Sequence, residues 1–255
     1  MTRSKLRATW DAGQPAINGW LAIPSILSVD AVARAGWTTL TVDLQHGTAD
    51  YAQMLTMLPA IEAAGVTPMI RVPWNEPSIV MRALDAGVVG VICPMIETPD
   101  DARAFVRACL YPPAGNRSFG PVRARLVHGD GYPAVANDEV VPIAMIETRA
   151  ALDHVDEIAA IPGMGALYIG PSDLSSNLGF GPGFDRTEDE MLAHIKRIRE
   201  AAHRAGIKAC IHCASPTYAA GKVKEGFDFV TIGSDARFAE AGAQGAVTSF
   251  QNELG

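Results

Sequence analysis

Lysine is scarce in this 255-residue chain: Lys5, Lys196, Lys208, Lys222 and Lys224 are all there is. Arginine makes up the rest of the 21 basic residues, which face 28 acidic ones for a net charge of −7, and no Lys/Arg-rich run occurs. Nucleic acid and anionic membrane surfaces are therefore excluded as expected partners. No apolar stretch approaches the roughly 20 residues that cross a bilayer. The opening "MTRSKLRATWDAG" also lacks the apolar core of a signal peptide, so a cytoplasmic location is expected. Cysteine is equally sparse, with Cys93, Cys109, Cys210 and Cys213, too few for a disulfide framework. The last two form a CxxC around His212, but no second Cys/His pair completes a zinc site, and positions i and i+3 of a strand face opposite ways.

What is present is a rhythm. Apolar residues make up 48% of the chain, and short β-branched runs alternate with stretches of three-and-four periodicity. The candidate strands cover 17–23, 39–43, 67–72, 87–93, 141–147, 166–170, 207–212 and 227–233. Between them, helices are predicted to stop at Gly36, Gly65, Gly87 and Gly206. Eight such units in this length predict an α/β fold of the (β/α)8 TIM barrel type, as one domain over 1–255. A doubly wound sheet is the runner-up, but "LAIPSI" after the first strand has no GxGxxG phosphate turn. The Gly/Pro-rich segment 110–139, with Arg117, Arg123 and Arg125, reads as a functional or subunit-contacting excursion from the fourth unit.

In a barrel the chemistry belongs at the carboxyl ends of the strands. "VDLQHG" places Asp43, Gln45 and His46 after strand 2, either a base with its carboxylate or a surface His beside a capping Asp. Arg71 ends strand 3, where it must neutralise a carboxylate or meet an anionic ligand. Glu147 follows strand 5 and Asp173 follows strand 6. They form either an oxygen-only half-site for Mg²⁺ or Mn²⁺, or an acid pair engaged with barrel arginines. "GPSDLS" at Gly170, Pro171, Ser172 and Asp173 opens a short helix, which either binds an anion or is simply capped. The word MIET occurs twice. Glu147 closes the second copy, whereas Glu97 of the first runs into "TPDDARAF", where Thr98 reads as a helix cap, so Glu97 is read as a rim residue.

The blocks "DLQHG", "IRVP", "YPPAGNRSFGP", "AMIET" and "GPSDLSSNLG", in this order over nearly the whole chain, resemble the HpcH/HpaI class II pyruvate aldolases. The resemblance implies a divalent metal cation, Mg²⁺ or Mn²⁺ first and Co²⁺ or others after, held by Glu147 and Asp173. It further implies His46 as catalytic base with Asp43 as its orienting partner, and Arg71 as the group that stabilises a developing enolate oxygen. Substrate binding falls to Arg71, Gly170, Ser172 and Asp173. The implied reaction is reversible retro-aldol cleavage of 4-hydroxy-2-oxo acids to pyruvate, or a related 2-oxo acid, and an aldehyde. A homo-oligomer, trimer or hexamer, is implied as well. Gln45 and Met145 depart from the family's common Glu and Gln, which leaves acceptor preference and metal-shell hydrogen bonding open. The alternatives are a CoA-thioester lyase resembling the citrate lyase β chain and a non-catalytic 2-oxo-acid-binding barrel. A lysine Schiff base has no candidate, since no lysine stands at the carboxyl end of a predicted strand.

Overall fold

The computed structural model describes residues 3–254. In chain order the elements begin with α1 (Lys5–Asp11), β1 (Ala16–Leu21), α2 (Ile26–Ala33), β2 (Thr39–Asp43), α3 (Tyr51–Ala63), β3 (Thr67–Arg71), α4 (Pro77–Asp85), β4 (Gly90–Cys93) and α5 (Pro99–Cys109). There follow α6 (Val122–His128), α7 (Tyr132–Glu139), β5 (Val141–Ile146), α8 (Arg149–Asp153), α9 (Val155–Ala159), β6 (Ala166–Ile169) and α10 (Pro171–Asn177). The chain ends with α11 (Asp189–Arg204), β7 (Lys208–Cys213), α12 (Pro216–Lys224), β8 (Phe229–Ser234) and α13 (Asp235–Glu253). The eight strands pair in parallel and close in sequence order, β8 against β1, so the predicted (β/α)8 barrel is the fold. No helix among the described residues is long and apolar enough to cross a membrane.

Strand alternation sorts the core into two layers. Leu40, Val42, Ile70, Val91, Ile146 and Ile211 pack outward against the helices, while Met69, Ile92, Met145, Tyr168, Cys210 and Phe229 fill the lumen. Cys210 and Cys213 fall into different layers, as their spacing requires, and both are free thiols. Burial pushes both thiols up, Cys213 to about 12. The four glycines read as helix stops have positive φ, between 70° and 102°.

Three local features were not anticipated. β1 stops at Leu21 because the Ala22 and Ile23 N–H groups donate to the Asp235 carboxylate (2.8 and 3.2 Å) instead of continuing a ladder. The opening segment is α1, whose Leu6 and Trp10 close the lumen from below. There the Leu6 N–H donates to the Thr67 hydroxyl (3.2 Å) and the Trp10 indole to the Asp228 carbonyl (3.0 Å), both at amino ends of strands. The excursion 110–139 contains α6 and α7 and folds onto the same rim. Arg117 pairs with Asp85 (2.7 Å), and Arg123 pairs with Glu62 (2.8 Å), near the ends of α4 and α3. Leaving the end of α5, it starts on the side away from the strand carboxyl ends, and none of its residues reaches the cavity described below.

Candidate active site

The β2–β3 register places Asp43 directly beside Arg71. Arg71 Nε and Nη2 donate to Asp43 Oδ1 and Oδ2 at 2.9 and 2.6 Å, a two-pronged pair in which both side chains are largely buried. Burial works against ionisation of Asp43, but the hydrogen bonds and charge of Arg71 overcome it and hold the carboxyl below its ordinary value. The guanidinium carbon lies 4.9 Å from the centroid of the Trp20 ring, a cation–π contact that further fixes its plane.

Asp43 also shapes the loop that carries His46. Its Oδ1 accepts the backbone N–H groups of Gln45 (3.0 Å) and His46 (3.3 Å). The turn is so tight that a Cβ at Gly47 would stand 2.2 Å from the Asp43 carbonyl oxygen. Asp43 thus orients the backbone of His46 and the side chain of Arg71, and no bond from Asp43 to the His46 imidazole is among the contacts of the described residues. The His46 imidazole projects, exposed, to the cavity without a hydrogen-bond partner among the described residues.

Glu147, just past β5, is 2% exposed. Its Oε1 accepts the Met95 N–H at 2.8 Å, and Met95 has φ 53°, a left-handed conformation uncommon for a methionine. The two MIET copies are thus in contact: the first supplies a backbone donor to the carboxylate of the second. Glu97 itself stays outside the cavity. Thr98 caps α5 as read, its hydroxyl accepting from the Asp101 N–H (3.1 Å) while the Asp101 carboxylate accepts from the Thr98 N–H (2.9 Å). Burial, reinforced by the charge of Asp173, raises Glu147 to about 7 against the opposing pull of the Met95 N–H and Arg71.

Gly170 lies between the end of β6 and α10 as the residue before that helix. A Cβ there would lie 2.4 Å from Glu147 Oε2 and 2.8 Å from Met145 Cε, so any larger residue would have to displace the ends of those two side chains. Ser172 and Asp173 occupy the first turn of α10. The first intrahelical bond runs from Leu174 N–H to the Gly170 carbonyl (3.1 Å), leaving the Ser172 and Asp173 N–H groups outside the ladder.

All these side chains border one cavity of ≈ 430 Å³ at the carboxyl end of the barrel: Asp43, His46, Arg71, Glu147, Gly170, Ser172 and Asp173. Met145 also lines it, whereas Gln45 does not. Among the lining residues given no site role from the sequence are Trp20, Phe184, His212 and Arg237. His212 carried a usable signal, since it stands at the end of β7. Trp20 and Arg237 carried none, because their approach to the mouth depends on strand register and on the entry of α13.

A family model described as HpcH/HpaI aldolase/citrate lyase matches residues 19–240. A hydroxypyruvate/pyruvate aldolase of Rhizorhabdus wittichii is 43% identical over 241 residues, covering 94% of this chain and 96% of that one. A 4-hydroxy-2-oxo-heptane-1,7-dioate aldolase of Shigella sonnei is 33% identical over 247 residues, 93% of each chain. Among solved structures, an HpcH/HpaI aldolase/citrate lyase family protein of Burkholderia cenocepacia superposes with a TM-score of 0.90 at 30% identity. That match covers 98% of this chain and 100% of the other. Sequence and architecture agree, and the chain belongs to the HpcH/HpaI aldolase/citrate lyase family.

Proposed function

We propose that the protein is a carbon–carbon lyase, a divalent-metal-dependent aldolase that reversibly cleaves 4-hydroxy-2-oxo acids to pyruvate, or a related 2-oxo acid, and an aldehyde. One observation carries the reading: Glu147, Asp173, Arg71 and His46 border the same cavity at the strand carboxyl ends. The names of both quoted relatives, aldolases of 2-oxo acids, point the same way.

The residues suit a divalent cation. Glu147 is nearly inaccessible, and the neighbouring Asp173 charge makes its ionisation costly, a cost that a cation between them would offset. No group of three or more His, Cys, Asp or Glu converges among the described residues, so Glu147 and Asp173 would hold the ion and leave its other positions to water and substrate. An all-oxygen donor set favours Mg²⁺ or Mn²⁺, with Co²⁺ and others accommodated. When bound, the cation supplies Lewis acidity to the 2-oxo group.

The chain's own residues do the rest. Arg71 gives Nε and Nη2 to Asp43 and keeps Nη1 without a protein partner among the described residues, so a charged donor is already oriented where an enolate oxygen develops. The His46 imidazole takes the C4 hydroxyl proton in cleavage and returns it in synthesis. The Ser172 and Asp173 N–H groups receive the substrate carboxylate, and Gly170 keeps that approach open. A CoA-thioester lyase has no need of His46 at the cavity, which favours the aldolase.

The test is exchange of pyruvate methyl protons in D₂O, followed by NMR. Chelated protein should be silent, Mg²⁺ or Mn²⁺ should restore exchange, and Asp173→Asn should slow it by on the order of 10²-fold. Exchange indifferent to metal would refute the reading, and no exchange under any condition would favour a non-catalytic barrel.

The homo-oligomer, trimer or hexamer, draws support from α13, which buries Asp235 while Val247 and Phe250 stand 57% and 65% exposed. Sedimentation should give a mass above that of one chain, and a monomer at micromolar concentration would contradict this part of the proposal.

A further inference from the structure

His212 faces the cavity from the end of β7 and has no part in the chemistry above. Its ring meets Trp20 edge-on at 4.9 Å and Phe184 at 5.3 Å, which fixes its orientation. Nδ1 lies 3.1 Å from the Tyr168 hydroxyl, which lies 2.7 Å from the Thr231 hydroxyl. Thr231 in turn meets the Asn18 side chain at 2.9 Å. Nε2 has no hydrogen-bond partner among the described residues, on a ring that lines the cavity.

The direction of this buried chain can be worked out from its far end. The Asn18 amide is satisfied when its nitrogen faces the Thr39 and Thr41 hydroxyls (2.7 and 2.9 Å) and the Gly19 and Thr39 carbonyls (3.2 and 3.3 Å). The reverse orientation would set an oxygen against two carbonyl oxygens. In the satisfied orientation the Asn18 oxygen accepts from the Thr231 hydroxyl. Thr231 has then spent its proton and accepts from Tyr168. Tyr168, buried and held protonated by desolvation, has likewise spent its proton, so its oxygen accepts from His212 Nδ1–H. The tautomer that results presents a bare Nε2 lone pair to the cavity.

We propose that His212 is a specificity-determining residue whose Nε2 accepts a hydrogen bond from a hydroxyl group of the substrate, so that the site favours hydroxylated reactants over their deoxy counterparts. The proposal rests on the aldolase reading. The hydroxyl can belong to C3 of a hydroxylated 2-oxo acid or to the α-carbon of a hydroxyaldehyde. Burial, together with the Arg71 and Arg237 charges and against the pull of Asp43, lowers His212 to about 3. The ring therefore stays neutral and accepts the hydrogen bond without removing the proton, which distinguishes it from His46. A methyl group placed against Nε2 would leave a desolvated acceptor unpaired, the penalty by which enzyme sites reject analogues that lack a hydroxyl.

The experiment measures kcat/KM for pyruvate against hydroxypyruvate with one aldehyde, and for acetaldehyde against glycolaldehyde with one 2-oxo acid. In His212→Phe the hydroxylated-to-deoxy ratio should fall about tenfold or more in one pair, which identifies the reactant that carries the hydroxyl, while the deoxy reactants stay within about threefold. His212→Gln, which keeps an acceptor, should recover part of the ratio. Unchanged ratios in both pairs, or equal loss with all four reactants, would overturn the proposal. ¹⁵N NMR of the histidine-labelled wild type needs no variant to fold. It should show His212 as the Nδ1–H tautomer, with an Nε2 signal that moves when the hydroxylated reactant is added, and an Nε2–H tautomer would equally overturn the proposal. Wild type without metal-dependent exchange of pyruvate would sink the aldolase reading; with exchange intact, unchanged ratios sink the His212 assignment alone.

Discussion

Glu147→Gln should abolish metal-dependent turnover, by on the order of 10³-fold, and yet make the metal-free protein more stable at pH 8. The wild-type carboxyl rises from its ordinary 4.5 to about 7 because it is buried beside Asp173. Below pH 4.5 it is protonated in folded and unfolded chains alike and contributes no difference. Between pH 4.5 and 7 the unfolded chain ionises first, so stability is lost as pH rises, and the loss is complete above 7. The shift corresponds to about 3 kcal/mol. Glutamine keeps the volume and the oxygen that accepts the Met95 N–H, so it removes the charge and little else. Urea titrations of chelated wild type and variant should coincide at pH 4.5 and separate at pH 8. A gap that does not change with pH would show that the penalty of burying this charge is not the cause.

Arg71→Lys and Asp43→Asn should both be inactive by about 10²–10³-fold, but they should part in stability. Lysine cannot reproduce two parallel N–H donors, so it fails as an oriented electrophile while still neutralising Asp43. Asparagine leaves the guanidinium buried without its counter-charge, at a cost of about 3 kcal/mol. Its oxygen can still accept the Gln45 and His46 N–H groups, so the loop carrying the base should hold. If Asp43→Asn retains full stability, the pair is more solvated than its 4% and 11% side-chain exposures imply. If Arg71→Lys retains full activity, the developing negative charge is met elsewhere.

The contrast between Asp43 and Glu147 shows how far residue order reaches. Both were legible as strand-end carboxylates, because a short apolar run that breaks at an acidic residue marks where a buried barrel strand surfaces. Their partners were not. Asp43 was assigned to the nearby His46, three residues on, but its bond goes to Arg71, 28 residues away, because parallel register sets the two side by side. Glu147 was separated from Glu97 by reasoning about caps; Thr98 does cap α5, and Glu97 stays outside the cavity that Glu147 lines. No local pattern hinted that Met95 would bend into the left-handed region and donate to it. α1 escaped for a similar reason, since seven residues show too little periodicity to announce a helix that plugs a lumen.

Residue order by itself therefore determined the repeating unit, the helix stops at glycine, the eight-fold count and the strand ends where the candidate site residues stand. These follow from side-chain periodicity and backbone preference, which act over a few neighbouring residues. Tertiary structure decided which groups meet: Asp43 with Arg71, Met95 with Glu147, and His212 with a proton chain that begins at Asn18. Such pairings depend on strand register and barrel closure, where a shift of one residue turns every side chain to the other face, and no short stretch of sequence contains that information.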